Sequence, residues 1–138
     1  MKYVRSHGMT AIWSNQPYQD VEKTALKVQA KAAWERMRTG AGTKQDWDAL
    51  AWISNACLIR GEKIDPLCVE MCGLAQDALI SIRARYDRLG KFGVDAEALE
   101  NIPPLIDFYS DLLDLSTPKQ MQNAVMESVK RIRKIVKK

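Results

Sequence analysis

Residues 49–59 read ALAWISNACLI, eleven positions without a charge between Asp48 and Arg60. A helix that is apolar almost all round has to be surrounded by other elements, so this stretch predicts the central, most buried helix of a packed set. Thr43, with Asp46 three residues on, supplies an N-cap and a first-turn acid, and Gly61 supplies a stop, which frames a helix over 44–60. Ser54 and Asn55 inside it then need hydrogen-bond partners.

The flanking sequence supplies the neighbours such a helix requires. Upstream, Pro17, the acids Asp20 and Glu22, and Gly40 delimit a helix over 17–38. Its apolar residues fall on two stripes, Val21/Ala25/Val28/Ala32 and Leu26/Ala30/Ala33/Met37 with Trp34 beside the second, so a sandwich between neighbours is expected. Downstream, Asp65-Pro66 starts a helix and Gly90 ends it. Between them Cys68, Cys72, Ala75, Leu79, Ile82, Tyr86 and Leu89 form an unbroken three-four packing seam.

From Asp95 a fourth segment meets Pro103-Pro104, where two missing backbone donors predict a kink or a restart. Leu99, Ile102, Ile106, Tyr109 and Leu113 nevertheless keep one face across it. Thr117-Pro118-Lys119-Gln120 has capping-box spacing and opens a last helix. No stretch alternates as a strand does. The expectation is an all-α, single-domain bundle of about five helices over 17–138, preceded by an irregular arm, 1–16, pinned by Ile12 and Trp13.

Charge is partitioned along the last third of the chain. From Val94 to Pro118 there are six acids and no base; from Lys119 to Lys138 there are seven bases against Glu127 alone, giving −6 followed by +6. If these two helices fold back on one another about Ser116-Thr117, Glu97 and Glu100 partly neutralise the basic end. On the last helix Met121, Ala124, Val125, Val129, Ile132, Ile135 and Val136 share one side. Lys130, Arg131, Arg133, Lys134, Lys137 and Lys138 lie on the other. That cationic face suits an anionic partner, either nucleic acid or an acidic protein surface, though a docked helix with a solvated outer face has the same pattern. A membrane anchor is disfavoured because the stripe lacks Trp and Phe.

Other candidates have weaker chemistry. Asp107, Asp111 and Asp114 share a helical face, but no loop completes an oxygen cage, so a solvated face is expected and no metal is assigned. Cys57, Cys68 and Cys72 read as small core residues without further ligands. His7 beside Ser6 has no triad geometry by adjacency alone. A helix-turn-helix at 44–60 and 66–89 is disfavoured, because Asp65 and Glu70 would meet phosphate with the wrong sign. No catalytic residue and no cofactor is assigned.

With 46% hydrophobic and 28% charged residues in 138, the composition is that of a globular domain rather than a disordered or membrane chain. Three cysteines, an odd number, and the lack of a signal-peptide stretch or membrane span favour a reducing cytoplasm. The functional expectation is a non-enzymatic binding protein, a small regulator or assembly factor whose basic C-terminal helix meets an anionic partner. The competing reading is a protein-interaction module or homodimer using the Cys68–Leu89 seam or the arm's aromatics. An enzyme is third and needs a pocket of Trp, Tyr and acidic residues.

Overall fold

The structure, a computed structural model, describes residues 14–137, with side chains up to Ile135. It contains five helices: α1 (Asp20–Arg38), α2 (Lys44–Gly61), α3 (Pro66–Leu89), α4 (Ala96–Leu115) and α5 (Pro118–Lys137), and no strand among the described residues. The all-α expectation is met. Ile12 and Trp13, the expected pins of the arm, lie outside the described residues, as do Ser6 and His7.

The uncharged run lies at the centre. α2 packs against each of the other four helices, and Leu50, Ile53, Ala56, Cys57 and Ile59 are buried among them. Its start is a reciprocal capping box: Thr43 Oγ1 accepts from the Asp46 amide at 3.2 Å, and the Asp46 carboxylate accepts from the Thr43 amide at 3.1 Å. Both polar residues inside the core find partners. Ser54 Oγ donates to the Ala51 carbonyl at 2.8 Å, and Asn55 Oδ1 accepts from Gln76 Nε2 of α3 at 3.0 Å. Burial is not complete all round, since Trp52 and Ala49 face outward.

Gly61 has a different role from the expected stop. It is the last helical residue, and a Cβ there would stand 3.1 Å from Cys68 Cβ, so its smallness lets α3 turn back against α2. The left-handed glycines are Gly40 (φ 90) and Gly90 (φ 78), each just past a helix end as the sequence implies. Asp65 caps α3, accepting from the Leu67 amide at 2.7 Å.

Three expectations require correction. First, α1 begins at Asp20 rather than Pro17, with Gln19 extended (ψ 151) so that Tyr18 can pack on the core. It is not sandwiched: its neighbours α2 and α4 cover only the Ala30, Ala33, Trp34 and Met37 stripe, and Val21 and Val28 are exposed. Second, α4 runs unbroken through Pro103-Pro104 instead of restarting. The carbonyls deprived of donors are those of Leu99 and Glu100, both exposed residues that water can reach. Buried Ile102, Leu105 and Ile106 hold the turn in place, and Leu99 drops out of the expected buried face. Third, α4 and α5 do not form a packed hairpin; among the helices, α5 packs on α2. Extended Ser116 (ψ 158) redirects the chain, and Arg60 Nη2 of α2 holds its hydroxyl at 3.0 Å.

Candidate functional site

α5 is opened by the expected box: the Gln120 amide donates to Thr117 Oγ1 at 3.2 Å, and the Thr117 amide donates to Gln120 Oε1 at 2.9 Å. Its first half is docked, with Met121, Ala124 and Ser128 buried. The second half leaves the body. Val129, Ile132 and Ile135 continue the apolar stripe but are 41%, 51% and 73% exposed. Lys130, Arg133 and Lys134 beside them are exposed and make no ion pair among the described residues.

Arg131 behaves differently from the other cations of the expected face. It donates to both oxygens of Glu62, at 2.6 and 2.8 Å, and to Glu127 at 3.1 Å. These carboxylates hold its guanidinium protonated beyond its ordinary range, and Arg131 in turn lowers the Glu62 carboxyl. Arg131 therefore ties α5 to the end of α2, where the protruding segment begins. The expected neutralisers Glu97 and Glu100 do not meet the basic end; they are exposed on α4, away from α5. The Lys137 side chain, the Val136 side chain and Lys138 lie outside the described residues.

The acidic stripe of α4 divides. Asp114 receives Lys27 at 3.0 Å and Lys23 at 3.2 Å, which lower its carboxyl and lash α1 to α4. Asp107 and Asp111 are exposed and join a different surface. Between α3 and α4 run two adjoining hollows of about 330 and 380 Å³ that share Leu67, Met71 and Pro104. Glu70, Glu100, Asp107 and Asp111 line them, and among the described residues no Lys or Arg does. The floor comes from Leu67, Met71 and Leu74, a second α3 stripe at three-four spacing that runs beside the Cys68–Leu89 seam. This spacing was legible in the sequence but was masked by the more continuous seam.

That seam is internal. Cys72, Ala75, Leu79 and Ile82 are buried within the chain, which removes it as a homodimer interface; only Leu89 at its end is exposed. Cys57 and Cys72 are free thiols fully buried in the core. Burial pushes Cys57 well above its ordinary value and Cys72 up to about 12, with each raised further by a neighbouring cysteine.

Another hollow, about 560 Å³, lies between α1, α2 and the head of α5. Tyr18, Trp52, Tyr109 and Glu22 line it, the residue types an enzyme pocket was expected to need. Burial, followed by the nearby Glu22 charge, pushes the Tyr18 phenol up to about 12; burial likewise raises Tyr109. Both phenols therefore stay protonated at neutral pH. Its lining among the described residues is apolar surface with a few hydrogen-bonding groups: the Tyr18 and Tyr109 phenols, the Glu22 carboxylate and the Gln29 and Gln122 amides. Among the described residues, no three His, Cys, Asp or Glu side chains are grouped to hold a metal ion, and no helix is long and apolar enough to cross a membrane. No protein-family model, curated protein or solved structure matches the chain.

Proposed function

We propose that this chain is a non-enzymatic binding protein, a small regulator or assembly factor, that presents the free half of α5 to an anionic partner, and that this partner is an acidic protein surface. One observation carries the proposal: three uncovered aliphatics, Val129, Ile132 and Ile135, lie beside three cations, Lys130, Arg133 and Lys134, that make no ion pair among the described residues. Phosphate contacts would engage the cations and leave the aliphatics in water. An acid-rimmed apolar groove would engage both, as amphipathic helices are generally bound. Leaving such a stripe exposed is unfavourable, at about 25 cal/mol per Å² of apolar surface, and a covering partner recovers that term.

Nucleic acid is the second reading, supported by the same three cations. The two separate in one titration series with three probes: duplex DNA, polyglutamate and a random Glu–Leu copolymer, each at low and high salt. The proposal expects the copolymer to bind most tightly and to be lost in both Ile132→Ser and Lys134→Glu. Tighter binding of duplex, steeply salt-dependent and indifferent to Ile132→Ser, would move the function to nucleic acid. Binding to none of the three would remove the anionic-partner reading altogether.

A further inference from the structure

We propose that the acidic surface met by the α5 tip is the α3–α4 groove of a second copy of this chain, so that copies associate head to tail. This deepens the function proposed above and rests on it.

The two surfaces match in kind. The groove floor is apolar and open, with Leu67 72% exposed, Leu74 and Pro104 also exposed, and Met71 and Phe108 half-buried. Its rim has four carboxylates, Glu70, Glu100, Asp107 and Asp111, none of them ion-paired among the described residues. The tip offers aliphatics at 129, 132 and 135 flanked by cations at 130, 133 and 134. From 129 to 135 a helix advances roughly 9 Å, a length that a two-helix groove accommodates.

Within one chain the match is never used. Among the helices α5 packs on α2 and not on α3 or α4, so the tip lies apart from its own groove. The −6 and +6 blocks adjacent in sequence are thus held apart in space, and only a second molecule brings them together. Because the tip and the groove are different surfaces, the contact is heterologous. Each bound copy leaves one free tip and one free groove, and association continues unless a ring closes. Long-range attraction steers the encounter and weakens as salt screens it.

Sedimentation of the full-length chain over a wide concentration range, at low and high salt, tests this. The average mass should climb with concentration and climb less at high salt. Ile132→Ser with Lys134→Ala should disable the tip, and Leu67→Ser with Glu100→Ala should disable the groove, each weakening self-association by about tenfold or more. All four side chains are exposed, and circular dichroism verifies that both variants fold. Mixing the two variants pairs one intact tip with one intact groove, so a one-to-one complex that grows no further is expected. A wild type that stays monomeric throughout overturns the proposal, as does a mixture that stays monomeric, or self-association that survives either variant. If the monomeric wild type still binds the Glu–Leu copolymer, the presented helix stands and only self-recognition falls.

Discussion

Asp46 joins two helices through one carboxylate. It is 5% exposed, accepts from Arg36 Nη2 at 2.7 Å and Nε at 3.0 Å on α1, and completes the cap of α2 through the Thr43 amide. The Arg36 hydrogen bond, with the Thr43 amide, lowers its carboxyl; at the head of α4 the Ala98 amide, aided by Arg85, does the same for Asp95. A depressed folded-state value means that the stabilisation is complete above the ordinary carboxylate range near about pH 4 and is lost as pH falls through the depressed value. The denaturant midpoint should therefore be level between about pH 5 and 8 and fall below about pH 4. Asp46→Ala should lose about 1 to 3 kcal/mol at neutral pH and show a shallower acid limb. An acid limb as steep as wild type would absolve this carboxylate. The cap was legible in the sequence, since three-residue spacing is local. The Arg36 partner was not, because nothing local indicates which α1 cation reaches it.

The same distinction separates the helices. α2 was legible because an eleven-residue uncharged run permits only an interior position, yet the degree of burial within it depends on neighbours. Ile53 is buried but Leu58 is only partly so. Ile53→Ala should cost about 2 to 5 kcal/mol and Leu58→Ala clearly less, as read from urea midpoints; equal losses would contradict the packing. α1 shows the limit: its two stripes are equivalent in periodicity, and only the placement of α2 and α4 decides which is covered. In α4 the prolines predict a kink or a restart; the helix does not restart, because tertiary burial of Ile102, Leu105 and Ile106 outweighs the two lost backbone bonds. Exposed Pro104 is then a cost the helix tolerates. Pro104→Ala should restore a donor to the Glu100 carbonyl and raise stability by about 1 to 2 kcal/mol, reduced by the greater freedom of the unfolded chain. A lower melting temperature would mean that the proline is needed for the shape of α4.

Across the whole molecule, charge partition was legible and its spatial consequence was not. Adjacent opposite blocks suggest a folded-back pair, whereas the docking of α5 on α2, the Arg60–Ser116 contact and the Arg131–Glu62 tether send the basic end elsewhere. Lys130→Glu with Lys134→Glu should consequently leave unfolding stability within about 0.5 kcal/mol of wild type, because both side chains are exposed and make no ion pair among the described residues. A marked destabilisation would mean that the block is engaged within the chain. The core itself offers a clock for the bundle as a unit. Cys57 on α2 and Cys72 on α3 are inaccessible and held as neutral thiols, while half-buried Cys68 lies nearer the surface. Only the thiolate alkylates readily, so the two inner sulfurs should resist iodoacetamide until the helices separate, while Cys68 reacts first. Followed by mass spectrometry, their modification should quicken with urea in step with the opening equilibrium. The unaltered protein would then report what fraction of its copies stands open, without any label having to be introduced.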